Sequence, residues 1–476
     1  MTLILLLDIL AVGSLCVVVL KRGFEGALPL AAFLLILFPN ESQIQLPGLF
    51  DFTTQRIVVA ALIVLYFSHG RRQRESEHKN PLPLRYLILL VIGWMLLSSV
   101  NSVVPSVSIK ATLSQVFDFF VPYYIYAKTV SKTETVHEIL FAFVSGTFLC
   151  SIFGFFEAYQ GWSVLSLFPA LASRFSGIAG IAADRGVRVQ STFGHAILFG
   201  AALAMAIPLA LYLLTVTENK WRKLFLWAAI LLMFVNIYKT GSRGPWMALV
   251  LSLAILLVMG RGLMRKYLIL IVTLAVIVLV ARPGVWNTIA DLYGETINPT
   301  TVQGQSYEWR YLLYDISKKE LSKSVGRSLW GYGPESFYFL GLTAPFMVDG
   351  EMHMVKVESC DSAVVELMMD TGYVGFFLVA ALLLKAGLVT LRNFFRMSKP
   401  ENSLCVVFFA NLAAFCFLMT SVELFNWGQQ AYLLWIIIAL SMIYPACSKR
   451  VSSPLAVIEP QSLARRWAEP VVATRK

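Results

Sequence analysis

Charge is what this sequence lacks most. Of its 476 residues 14% are charged, where soluble globular domains carry about 25%. Hydrophobic residues make up 58%, and the mean hydropathy is +0.70. That balance excludes a soluble enzyme, a secreted disulfide scaffold and a disordered regulator. Cysteine is sparse, with Cys16, Cys150, Cys360, Cys405, Cys416 and Cys447 the whole set. Five of them sit in or beside apolar runs, where a free thiol behaves as a small hydrophobe. No CxxC pair or metal-ligand spacing occurs, so no metal site is read. Cys360 is the only cysteine in the exterior loops assigned below, which argues against a disulfide there. The nucleotide motif GxxxxGK[ST] is missing too. Charges within the apolar runs are few, Asp8, Asp118, Glu157 and Lys385 among them. Ion-coupled transporters mark their path with intramembrane charges, so this scarcity weighs against a transporter.

What is there is apolar length. A helix needs about 20 mostly apolar residues to cross the hydrocarbon. Runs near 2–20, 27–38, 57–68, 84–100, 108–126, 138–158, 193–215, 224–239, 245–260, 267–281, 372–391, 403–421 and 430–446 read as spans. The expected fold is all-α: a polytopic membrane helix bundle of about 12–13 transmembrane helices with one large, partly helical loop. The runs 27–38 and 57–68 are short; they either extend through flanking residues or dip in and return as a pair. No basic residue precedes the first run and Lys21-Arg22 follows it. A cleavable signal has the reverse order, so this run is read as a retained span.

The net charge of +11 is first an orientation signal, because cytoplasmic loops collect Lys and Arg. Nucleic-acid binding is not expected, since it needs the basic residues on one accessible face. Under this span plan one side gathers Lys21, Arg22, Arg71, Arg72, Arg74, Arg222, Lys223, Arg265, Lys266, Arg392 and Arg396, together with the C-terminal tail. The N-terminus then faces out and the C-terminus in.

The exterior loops carry the informative sequence. Residues 159–192 hold Arg174, Arg185 and Arg188, and Thr240-Gly241-Ser242-Arg243-Gly244-Pro245 is a tight turn. Residues 282–371 form one long stretch, and such loops are functional or disordered. Helix-like sequence from Glu308 to Lys323 and the turn Gly331-Tyr332-Gly333-Pro334 argue that it is folded. The expected organisation is N-terminal spans over 1–160, spans bearing the arginine motifs over 161–281, the long loop over 282–371, C-terminal spans over 372–447, and a disordered basic tail over 448–476.

Arg243 is the sharpest single residue. Glycines on both sides let the backbone turn tightly, and Pro245 suits the first helical position of the next span. An arginine there can fork onto two phosphate oxygens, helped by N–H groups at the helix start. The bland alternative is an interfacial arginine that snorkels to headgroups. Arg185 and Arg188 lead into another span whose start holds Gly194 and His195; Arg188 and Arg243 can bracket a diphosphate, or the cluster serves loop solubility. His195 is a ligand, a base or a satisfied helix-start residue. His353, Glu358, Asp361 and Glu366 cluster before the span at 372, and one of them can act as general base toward a hydroxyl. Asp361 before Ser362 reads equally well as a helix N-cap. Thr371-Gly372 marks a helix break.

These stretches resemble the O-antigen ligase and polymerase family of bacterial envelope enzymes. The resemblance rests on GSRGPWMALVLSLAILLVM, on RVQSTFGHAILFGAALAM, and on GYGPESF followed by CDSAVVELMMDTGYVGFF; it covers roughly 170–390. It implies a glycosyltransferase of the bacterial inner membrane, with the N-terminus and the long loop periplasmic and the C-terminus cytoplasmic. The donor would be an undecaprenyl-diphosphate-linked glycan and the acceptor a glycan hydroxyl, with no cofactor and no metal. Arg188 and Arg243, with Arg185, would hold the diphosphate, where fixed guanidinium groups stabilise the growing charge. Asp361 and His353 are alternative bases, and His195 and Glu358 are further candidates. Ligases of this family typically carry a His where this chain reads Cys360-Asp361-Ser362. Asp at this place resembles the polymerase or exopolysaccharide branch. The expected activity is polymerisation of exopolysaccharide or O-antigen repeat units, with a chain-length regulator and a flippase as partners beside the lipid bilayer. A ligase that attaches glycan to lipid A-core is the alternative. A permease or exporter is the rival of another class, and would predict a charged central path and paired broken helices.

Overall fold

The computed structural model describes residues 2–40, 42–44, 51–70, 82–168, 188–281, 302–348, 351–357, 360–423 and 428–452, with 284, 286, 287, 290, 291, 293, 294 and 298 between them. It is 81% helical and 3% strand. Among the described residues six helices are long and apolar enough to cross a membrane: Thr2–Leu37, Thr133–Gln160, Ala196–Val216, Lys220–Lys239, Ala363–Arg396 and Gly428–Ser448. Shorter apolar helices are Thr54–His69, Arg85–Val100, Arg243–Met259 and Asn402–Leu418. Gly262–Ala281 is helical as well. Pro105–Gln115 runs through a π-helical turn, Val116–Phe120, into Val121–Thr129. The chain is an all-α, multi-pass membrane bundle.

Every apolar run of the sequence lies in one of these helices, and the differences are in their ends. The first two runs share the element Thr2–Leu37, which breaks at Gly23 with φ 75° and ψ 174°. The run at 57–68 extends back to Thr54, where the Thr53 hydroxyl accepts the Arg56 N–H at 3.1 Å. The last helix continues to Ser452; the rest of the basic tail lies outside the described residues. Packing order follows polarity. The Ala196–Val216 helix is apolar on every side, so it is surrounded, and 94% of its span is buried. One charge in a span finds a buried partner: Asp118, on the π-helical turn, accepts from Arg56 Nε at 3.0 Å, Arg56 Nη2 at 2.8 Å and the Tyr432 hydroxyl at 3.1 Å.

The described part of the long loop is folded, as its helix-like sequence implies. Val302–Leu321 and Val325–Trp330 are helices. An antiparallel hairpin, Thr343–Val348 against Glu351–Lys356, pairs Phe346 with His353; the sequence reading did not foresee it. The segment then enters Ala363–Arg396, which breaks at Gly372 with φ 66° and ψ −175°. This is the break expected at Thr371-Gly372. It ends a first half-helix whose last carbonyls need partners. Tyr332 N donates to Met369 O at 2.8 Å and Gly333 N to Asp370 O at 2.9 Å. Ser98 Oγ donates to Asp370 O at 2.5 Å and Trp94 Nε1 to Thr371 O at 2.9 Å. The Gly-Tyr-Gly motif is therefore a cap on a broken helix.

Candidate functional site

Two half-sites meet at the loop-bearing end of the bundle. The first is cationic. Arg188 Nε donates to Thr240 O at 3.0 Å, and its Nη2 donates to Ser242 Oγ at 2.6 Å. The guanidinium thus grips the residues that precede Arg243. Ser242 is the N-cap of the helix Arg243–Met259, and Gly241 has φ 56°. Pro245 is not at the first helical position, as the spacing suggested; Arg243 is, and Pro245 falls two residues later. A first-turn N–H has no intrahelical partner, so proline is tolerated there as well. The turn presses on the core helix at Gly200, where a Cβ would lie 2.7 Å from Pro245 Cβ.

The Arg188 side is pinned from beneath. Val189 N donates to Lys239 O at 3.2 Å. Glu157, one of the few acids in a span, accepts from Gln190 N at 3.2 Å and Ser191 N at 2.7 Å. Gln429 Nε2 reaches Thr192 Oγ1 at 3.2 Å. His195 follows, at the N-cap of Ala196–Val216 and without a side-chain cap bond. Arg188 and Arg310 both lie within electrostatic reach of its ring. Arg310, on Val302–Leu321, was not singled out in the sequence. Burial lowers its guanidinium while the Asp361 carboxylate raises it.

Asp361 belongs to the second, acidic half-site. Ser362, not Asp361, occupies the N-cap of Ala363–Arg396, so the bland reading of Asp361 as a cap does not hold. The segment is stitched to the end of Asn402–Leu418. Ser362 Oγ donates to Met419 O at 3.2 Å, Ala363 N to Val422 O at 3.0 Å and Val364 N to Met419 O at 3.3 Å. Glu423 accepts from Cys360 N at 2.8 Å and from the Tyr338 hydroxyl at 3.1 Å. Burial pushes its carboxyl up to about 7, and the Glu335 and Asp361 charges add to that against both hydrogen bonds. The same turn touches the cationic half: a Cβ on Gly244 would lie 2.9 Å from Ser421 Oγ. Residues 419–423 therefore carry Arg243 on one side and Asp361 on the other.

Three candidates remain: His353, Arg185 and Glu358. His353 is exposed on the hairpin, three residues beyond its base at Lys356, or about 10 Å along the strand. Asp361 lies past that base, half-buried. Arg185 and Glu358 lie outside the described residues. Sequence reasoning missed Arg310, Glu423 and the 419–423 turn. A lone Arg in a loop helix and a lone acid at a span's end carry no local signal.

Residues 228–380 match the family model described as O-antigen ligase. No curated protein matches the chain. The matched stretch holds the Arg243 turn, Arg310, Asp361 and the break at Gly372; Arg188 and Glu423 lie to either side of it. Over residues 228–380, and there alone, this multi-pass membrane protein is similar to the O-antigen ligase family.

Proposed function

We propose that the chain polymerises lipid-linked repeat units of an exopolysaccharide or O-antigen at the outer face of the bacterial inner membrane. The donor is a glycan on undecaprenyl diphosphate. The grip of Arg188 on the turn that begins the Arg243 helix carries this reading. It brings two permanent cations, from segments 55 residues apart in the chain, to one helix start. Fixed cations stabilise a leaving diphosphate without reorganising as charge develops. Asp361 takes the proton of the acceptor hydroxyl. The hydroxyl oxygen bonds to the anomeric carbon, and the carbon–oxygen bond to the diphosphate breaks. The electron pair leaves with the lipid diphosphate, on Arg188 and Arg243. Arg310, within electrostatic reach of Asp361, forms the wall between the two halves. Asp361 in place of a histidine favours polymerase over ligase. A chain-length regulator and a flippase are the partners this activity would need.

Purified protein in nanodiscs with an undecaprenyl-diphosphate-linked repeat unit tests it. A ladder of lengthening glycans without added acceptor supports polymerisation. Product only with lipid A-core supports the ligase. Transport of the unit without bond formation supports the exporter. Orientation is tested separately: Phe339→Cys, at an exposed loop position, should react with an impermeant thiol reagent from the periplasm. Labelling only from the cytoplasm overturns the orientation.

A further inference from the structure

We propose that Glu423 is a positioning residue for this transfer: it clamps Cys360 to the loop at Tyr338, so that Asp361 is held facing the acceptor hydroxyl. The inference rests on the transferase reading and adds to it a residue outside the family match. Its carboxylate joins three segments that are distant in sequence. Oε1 accepts from Cys360 N at 2.8 Å, and the Tyr338 hydroxyl donates to Oε1 at 3.1 Å and to Oε2 at 3.2 Å. Tyr338 follows the Gly-Tyr-Gly cap, and Cys360 adjoins Asp361. The three backbone and hydroxyl bonds from residues 362–364 to 419 and 422 hold the helix start. Glu423 alone among these contacts also ties in the loop.

The clamp is costly as a device for stability alone. Glu423 is 8% exposed, and its charged neighbours Glu335, Asp361 and Asp370 are acids. A buried carboxylate among carboxylates favours neither folding nor its own ionisation. Groups held under such strain mark functional sites. A glutamine would fill the same space and accept from Cys360 N without the charge.

The test compares Glu423→Ala and Glu423→Gln in the reconstituted transfer assay. Displacing a reacting group by about 1 Å costs about 100-fold in rate. The alanine variant should lose kcat on that order, while KM for the lipid-linked donor stays near wild type, because the Arg188–Arg243 half is untouched. The glutamine variant should recover most of kcat, since its amide oxygen still accepts from Cys360 N. A second readout does not depend on activity: Cys360 is 1% exposed, and its alkylation, read by peptide mass spectrometry, should accelerate in the alanine variant but not in the glutamine one. Unchanged kcat in the alanine variant overturns the proposal, as does equal loss of kcat and donor affinity. Unchanged Cys360 alkylation in the alanine variant overturns the clamp itself. If wild type forms no glycosidic bond, the transferase reading fails, and the alkylation contrast still decides the clamp. Should the alanine variant not fold, Tyr338→Phe removes one of the two donors; a lowered kcat at unchanged donor KM supports the proposal, and an unchanged kcat refutes it.

Discussion

Gly372→Ala tests how the broken helix is built. At φ 66° and ψ −175° the residue occupies a region closed to side chains, and forcing alanine into it costs about 1–3 kcal/mol. The new Cβ would also collide with Leu329 O and lie 2.7 Å from Trp330 N. Relief requires residues 329–333 to retreat. That breaks the Tyr332–Met369 and Gly333–Asp370 backbone bonds, at about 1 kcal/mol each. Together the loss is about 3–5 kcal/mol. Thermal unfolding in detergent, followed by tryptophan fluorescence, reads it well because Trp94 bonds Thr371 O and Trp330 adjoins the clash. A melt near the lower end of the usual 2–4 °C per kcal/mol predicts a drop on the order of 5–10 °C. Gly93→Ala is the control: nothing lies within 4 Å of its Cβ position, and alanine is the better helix former by about 1 kcal/mol. A Gly372→Ala protein that melts with wild type refutes the account of the Gly-Tyr-Gly motif as a cap.

Arg188→Lys keeps the charge but cannot fork onto both Thr240 and Ser242; transfer should fall about 100-fold with normal membrane insertion, and a full rate removes Arg188 from the diphosphate role. Glu423 titrates near 7 in the folded chain against an ordinary 4.5. The folded state then binds more protons between those values, so stability falls as pH rises through about 4.5–7, by at most about 3 kcal/mol. Melting curves across pH 5–8 should show that slope in wild type and a flatter one in Glu423→Gln; parallel slopes refute the shift. Arg56→Ala leaves Asp118 buried without its cation, which costs about 3–5 kcal/mol. Adding Asp118→Asn should restore part of the melting temperature, and an unaffected single variant shows the pair to be unimportant.

The helices were legible because an apolar run long enough to cross a membrane has few other ways to bury its backbone. Their ends were less so, since Ala363–Arg396 starts nine residues before its apolar run. Arg188 and Arg243 could be paired in advance because both sit in glycine-marked turns at span starts. Gly372 could be read as a break for the same reason. The hairpin at 343–356 left little trace, as two six-residue strands with a proline offer too short an alternation. Glu423 and Arg310 gain their meaning only from long-range contacts, which no local pattern encodes.

The shared mount at residues 419–423 has a mechanical consequence. Gly244 rests on Ser421, and the backbone before and after Ser362 hangs from Met419, Val422 and Glu423. A displacement of the Asn402–Leu418 helix is then common to the turn of Arg243 and to Asp361, and it cancels from the gap between them. The spacing between that turn and Asp361 is then set by one short segment of chain. What stays adjustable is the third wall, the Val302–Leu321 helix, whose Arg310 approaches from outside that mount.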